Sequence, residues 1–145
     1  WEPSAAQYRA LLAPAATSPQ RGQPYPFFLA HPLQDAPQTL GAVSDWHAEW
    51  KWDGIRGQLV CRAGEVFLWS RGEELVTERF PEIAALGAQL PAGTVLDGEI
   101  LAWRDGAPLP FAVLQQRIGR KTLGSNVLND APVAFVVYDL LEADG

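Results

Sequence analysis

The chain has 145 residues, 48% of them hydrophobic and 19% charged, and carries a formal net charge of −6 at pH 7. That length supports one domain with a real core, and the acidic balance argues against a protein that coats nucleic acid non-specifically, while leaving room for a local basic track. No apolar run approaches the roughly 18 residues of a bilayer span, and no charged-then-apolar signal segment opens the chain.

The first 48 residues hold seven of the twelve prolines. Ser4 is placed to cap a short helix through Leu12, with Tyr8, Leu11 and Leu12 on its apolar face. From Pro14 to Pro26 the composition is that of a linker. The stretch from Pro26 to Leu33 is too apolar for a free linker and is expected to lie against the domain. From Ala48 onward short strands alternate with Gly-containing turns. Gly57–Ala63 and Glu65–Ser70 read as a hairpin closed near Ala63-Gly64. Pro81 suits the first turn of a helix running to Leu90, with Ile83, Leu86 and Leu90 inward. Thr94–Trp103 and Leu109–Phe111 read as strands flanking an Arg104-Asp105-Gly106 turn. Phe111–Ile118 has helical spacing, and Val133–Leu141 is a near-continuous apolar strand expected to be buried on both faces. Strands dominate, with helices between them, which gives an α+β class with largely antiparallel sheet.

The densest chemistry lies in Glu49-Trp50-Lys51-Trp52-Asp53-Gly54-Ile55-Arg56. Along an extended chain Glu49, Lys51 and Asp53 share one face, with Trp50 and Trp52 packed behind them. A lysine amine attacks only when it has lost its proton, which nearby carboxylates oppose, so the site calls for a metal ion or phosphates to rebalance the charge. The plain alternative is a salt-bridge ladder ending in an Asp-Gly turn. Downstream, Ser70-Arg71-Gly72 projects an arginine beside a turn, and Asp97-Gly98-Glu99 places two carboxylates on one strand face, where they suit a metal or a sugar hydroxyl. Tyr138-Asp139-Leu140 sets an aromatic beside an acid. Taken singly, an Asp-Gly-Glu is most often a turn and a lone tyrosine most often core. Arg117, Arg120 and Lys121 cluster as a basic track for DNA phosphates, or else form a solvated helix end.

In this order, Lys-x-Asp-Gly-x-Arg, Ser-Arg-Gly, Asp-Gly-Glu and aromatic-Asp-Leu resemble the adenylation domain of ATP-dependent DNA ligases. The resemblance runs from Pro26 to the end of the chain and includes Arg79-Phe80-Pro81-Glu82-Ile83 and Leu114-Gln115-Gln116-Arg117. It implies part of the ATP-grasp-like nucleotidyltransferase fold shared by DNA ligases and mRNA capping enzymes. It further implies that Lys51 attacks the α-phosphorus of ATP, that the AMP passes to the 5′-phosphate of nicked duplex DNA, and that the 3′-hydroxyl then seals the strand, with Mg²⁺ or Mn²⁺ neutralising phosphate charge. By the same resemblance, Glu49 lies near the adenine and Arg56 near the ribose or nick. Arg71 binds the AMP phosphate or the nick 5′-phosphate, and Glu99 holds the ribose hydroxyl or the metal. Asp53 reaches the metal through water, and Tyr138 stacks on the adenine where many relatives carry phenylalanine.

The family continues with a Glu-Gly-containing motif, a paired-lysine motif and an oligonucleotide-binding domain, none of which lies within these residues. Residues 26–145 are therefore expected to be the front part of the adenylation domain, and the proline-rich opening stretch suggests that residues 1–25 are a helix and Pro-rich linker from a preceding domain. Alone, the chain is expected not to seal nicks. The absence of methionine, position 1 included, also reads as a piece of a longer product. Cys61 is the only cysteine, so a reducing compartment is expected, cytoplasmic or nucleoid-associated, with a monomer and no membrane partner. RNA ligases, mRNA capping enzymes and NAD-dependent ligases share the lysine motif, and a non-catalytic nick-binding module remains a reading from a different class.

Overall fold

The computed structural model describes residues 22–120 and 123–143. The predicted Ser4–Leu12 helix and Lys121 lie outside them. Five antiparallel strands organise the fold. Strands β1 (Ile55–Arg62) and β2 (Glu65–Ser70) form a hairpin, and β1 also pairs with the long β3 (Thr94–Arg104). The two-residue β4 (Ala107–Pro108) and β5 (Val133–Glu142) both pair with β3. Both hairpin turns have two consecutive residues with positive φ, Ala63-Gly64 and Asp105-Gly106. That is the backbone twist that lets a two-residue turn join right-twisted strands.

Alternation along the strands separates two faces. Leu59 and Cys61 of β1 and Ile100 and Ala102 of β3 belong to the core, together with Leu68, Phe80, Ile83 and Leu114. Helices α1 (Pro81–Gly87) and α2 (Phe111–Ile118) supply Ile83 and Leu114 to it. The alternate positions Arg56, Gln58, Arg62, Asp97 and Glu99 fall on the opposite face, where Gln58 faces Asp97 and Arg56 faces Glu99 across the β1–β3 pair. The sheet thus holds the main apolar core on one side and, on the other, these polar side chains set among the buried Val60, Val95 and Leu101. No helix among the described residues is long and apolar enough to cross a membrane.

Several expectations need correction. Helix α1 stops at Gly87, and Leu86 is 60% exposed rather than inward, with Leu90 also exposed. The helix packs instead on its Ile83/Gly87 edge, where a Cβ on residue 87 would meet Val66 Cγ1 at 2.8 Å. The short strand facing Trp103 is Ala107–Pro108 rather than Leu109–Phe111: Leu109 N–H still donates to Ala102 O at 2.8 Å, but Pro110 has no N–H to continue the ladder and leads into α2. Among the described residues strand β5 pairs with β3 alone, and it leaves Val137 and Leu140 exposed, so it is not buried on both faces. Residues 46–52 are not a strand, and Trp50 is 81% exposed instead of backing Lys51, while Trp52 packs edge-on to Trp103 with centroids 6.3 Å apart. The Pro26–Leu33 stretch likewise leaves Phe28, Leu29 and Leu33 exposed. What clips the chain to the sheet is the strap just before it: Trp69 Nε1–H donates to Gly22 O at 2.6 Å and Tyr25 N–H to Gln58 Oε1 at 2.7 Å. The helix α3 (Ser125–Asp130) and three short 3₁₀ turns, at Pro37–Leu40, Val43–Asp45 and Thr77–Arg79, were not anticipated.

Candidate active site

One cleft of about 820 Å³ is lined by Glu49, Lys51, Asp53, Arg56, Arg71, Glu99 and Tyr138. Residues brought from four separate stretches of sequence therefore meet around one space. Two glycines make that convergence possible by letting backbones approach. A Cβ on Gly54 would lie 2.3 Å from Ile100 O and 2.8 Å from Glu99 Cγ, and one on Gly98 would lie 2.4 Å from Val136 O. These glycines sit where the Lys-x-Asp-Gly turn crosses β3 and where β3 meets β5. They serve close packing, and neither adopts positive φ.

The β3–β5 register explains how Tyr138 reaches the site. Asp97 pairs with Asp139 but Gly98 with Val137, so Tyr138 is the extra residue of a bulge. A bulge re-aims a side chain that regular alternation would place elsewhere. Tyr138 Oη donates to Glu99 Oε2 at 2.9 Å, and the Arg56 guanidinium lies 5.1 Å from the ring centroid. Arg56 also donates from Nε and Nη2 to the two oxygens of Asp97, at 2.9 and 3.2 Å. Asp97 is thereby committed to Arg56 and is not a free partner for a metal or sugar beside Glu99.

Burial pushes the Glu99 carboxyl above its ordinary value, against the lowering effects of the Tyr138 hydroxyl, Arg56, the Gly54 backbone and Lys51. Burial and the bond to Glu99 likewise push the Tyr138 phenol well above its usual range. Glu99 is consequently a desolvated acid whose ionised form gains from an incoming cation or hydroxyl donor. Glu49, Lys51, Asp53 and Arg71 are exposed, and the ion pairs among the described residues include neither Lys51 nor Arg71. The salt-bridge ladder expected as the plain alternative is therefore not formed.

The basic track divides. Arg117 is fully buried and is not available to DNA phosphates. Its Nη1 and Nη2 donate to Glu82 at 2.6 and 2.5 Å, Nε and Nη2 donate to Arg79 O, and Nη1 donates to Ala131 O. Its cation lies 5.0 Å from the Phe80 ring centroid. Arg120 is exposed beyond α2 and lies outside the cleft lining. Arg79, which the sequence reading left without a role, lines the cleft. It is the last residue of the Thr77–Arg79 turn and opens the Arg79-Phe80-Pro81-Glu82-Ile83 stretch of the resemblance, which gave it no individual role.

An antiparallel sheet with few helices, presenting a lysine, three arginines and a buried carboxylate to one cleft, is the arrangement of a ligase-type nucleotidyltransferase domain. The ligase domain of M. tuberculosis LigD superimposes with a TM-score of 0.50 at 36% identity, covering 67% of this chain and 29% of that one. A mycobacterial DNA ligase D complexed with ATP and MES gives 0.51 at 35%, with the same coverage. The probable DNA ligase of Opitutus terrae is 44% identical over 125 residues, 86% of this chain and 12% of that protein. The probable DNA ligase of Koribacter versatilis is 38% identical over 122 residues, 84% of this chain and 21% of that protein. The family model for the ATP dependent DNA ligase domain matches residues 27–145. The chain belongs to that family, and it spans a quarter or less of the length of these curated relatives.

Proposed function

We propose that this chain carries the nucleophile and part of the ATP pocket of a DNA ligase that seals nicks in duplex DNA. The observation that carries the reading is the convergence of Lys51, Arg56, Arg71, Glu99 and Tyr138 on one cleft. In the first step the neutral Lys51 amine attacks the α-phosphorus of ATP. A nitrogen–phosphorus bond forms, pyrophosphate leaves, and the amine gives up a proton. A 5′-phosphate oxygen at the nick then takes the AMP and frees Lys51, and the 3′-hydroxyl displaces AMP to close the strand. Covalent catalysis divides one difficult displacement into easier ones.

Each side chain has a task suited to its chemistry. The Arg71 guanidinium, exposed and without a carboxylate partner among the described residues, offers a fork to the AMP phosphate or the 5′-phosphate. Tyr138 carries Arg56 over one ring face and offers the other to adenine, with Glu49 toward the base and Arg56 toward the ribose. Glu99 receives a ribose hydroxyl or a cation. Among the described residues no three His, Cys, Asp or Glu side chains converge as a metal cage. Mg²⁺ bound alongside phosphates needs only one or two carboxylates, and Glu99 and Asp53 in the cleft fit that mode. Mg²⁺ or Mn²⁺ so held supplies neutralisation of phosphate charge. Residues 26–145 are read as the front of the adenylation domain of a monomeric, cytoplasmic ligase with further domains on the same polypeptide. Arg120 and Lys121 remain candidates for DNA phosphates.

The test is donor and acceptor choice. The longest polypeptide that contains these residues is offered ATP, GTP or NAD as donor, and nicked DNA or nicked RNA as acceptor. AMP transfer from ATP to nicked DNA is expected. Preference for GTP, for NAD or for RNA would overturn the assignment in favour of a capping enzyme, an NAD-dependent ligase or an RNA ligase.

A further inference from the structure

Gln58 is a fully buried polar side chain that the chemistry above leaves unused. It follows Arg56 by two residues on β1, on the same sheet face, directly opposite Asp97. Its amide joins two parts of the molecule. Oε1 accepts from Tyr25 N–H at 2.7 Å, and Nε2 donates to Asp97 Oδ2 at 3.4 Å. A backbone N–H only donates and a carboxylate only accepts, so the amide has one orientation that satisfies both. Beyond Asp97 the string continues to Arg56 and, through the face of the Tyr138 ring, to Glu99. Beyond Tyr25 the chain runs on to Phe28, Leu29 and Ala30, which wall the same cleft.

We infer that Gln58 is a positioning residue for the nucleotide site: it fixes the Asp97 carboxylate, through it aims the Arg56 guanidinium, and it ties the strap that leads into the Phe28–Ala30 wall. This inference rests on the ATP site proposed above. Without the Gln58 donor, Asp97 retains Arg56 as its side-chain hydrogen-bond partner among the described residues. Two groups that orient only each other swing together. The buried amide anchors that pair to the sheet, and Arg56, half-exposed at the cleft, is the end of the string that a ligand meets.

Gln58→Glu separates the two arms at constant size. It keeps an acceptor for Tyr25 N–H but sets a second carboxylate oxygen against Asp97. The experiment measures ATP affinity by calorimetry in the longest polypeptide containing this chain. Four proteins are compared: unaltered, Gln58→Glu, Arg56→Ala, and the two together. Gln58→Glu is expected to weaken ATP roughly tenfold, the size of one hydrogen bond to a charged group, and to weaken it no further once Arg56 is alanine. An equal loss in both backgrounds, or no loss at all, overturns the inference, because a merely structural glutamine would not care whether Arg56 is present. Thermal unfolding of the same four proteins shows whether a fall in stability tracks the affinity. If Gln58→Glu does not fold, the uncharged Gln58→Met takes its place in the cycle, with coupling to Arg56 still required. AMP attachment to Lys51 is followed separately. Coupling without attachment removes the enzymatic reading and leaves Gln58 standing. Attachment without coupling removes Gln58 alone, and an unaltered protein that binds no ATP removes both.

Discussion

Replacing Arg117 by alanine removes a buried guanidinium and strands several groups at once. Both Glu82 oxygens lose their partner, and the Arg79 and Ala131 carbonyls lose theirs. Removing one member of a buried pair costs about 3–5 kcal/mol. The Glu82 side chain is 35% exposed, so its carboxylate partly rehydrates, which places the estimate near the lower end, about 3 kcal/mol. For a domain of this size that is a fall in melting temperature of roughly 10 °C. Tryptophan fluorescence during thermal or urea unfolding measures it. Arg117→Lys keeps the charge but loses the fork and should fall between wild type and alanine. Salt dependence of DNA binding supplies the opposite reading, since losing a phosphate contact lowers the slope by about one. An alanine variant with unchanged stability and a reduced salt slope would refute the structural assignment and restore Arg117 to the DNA surface.

Two pH effects of opposite sign are expected. Burial raises the Glu99 carboxyl in the folded state, so its favourable contribution is present below the ordinary carboxylate range and is lost as pH rises through the elevated value. Glu99→Gln should therefore melt higher than wild type at pH 8, with the gap closing at acid pH; a wild type more stable at pH 8 would contradict this. Hydrogen bonding from Arg62 lowers Glu142, so that pair stabilises above the ordinary carboxylate range and fails as pH falls through the depressed value. Glu142→Gln should melt lower than wild type at neutral pH and converge with it in acid, as paired melts will show. Gly98→Ala would drive a Cβ to 2.4 Å from Val136 O. It should separate β5 from β3 and cost about 2 kcal/mol or more in urea titration, and a neutral effect would mean that the strands meet differently.

Local chemistry in the sequence carried the hairpins and one helix. Ala63-Gly64 and Asp105-Gly106 turn where a two-residue loop demands positive φ, and the 3.6-residue spacing of Phe111, Leu114 and Ile118 marks α2 with the bounds observed. Lys51, Asp53, Arg56 and Glu99 were legible because they sit in short patterns whose glycines, Gly54 and Gly98, have a steric purpose; Arg71 and Tyr138 were legible from the order of the patterns along the chain. Long-range facts were not. The partner that buries Arg117 is Glu82, 35 residues away, so a cation at a helix end looked like a solvent-facing group. The bulge that aims Tyr138 leaves no local signature, since it depends on how β5 slides against β3. Trp50 looked like a packing residue on the assumption of an extended strand, and the irregular chain before β1 sets it in solvent. Gln58 shares a face with Arg56 by simple alternation, and that signal was available but needed the register with Asp97 to have meaning.

The central claim is that Lys51 becomes covalently attached to AMP. Intact-mass spectrometry after incubation with ATP and Mg²⁺, on the longest polypeptide containing these residues and on its Lys51→Ala variant, tests it directly. The account predicts the gain of one AMP in the unaltered protein, mapped by peptide fragmentation to Lys51, and none in the variant. No adduct in the unaltered protein, or an adduct that persists in Lys51→Ala, would contradict it.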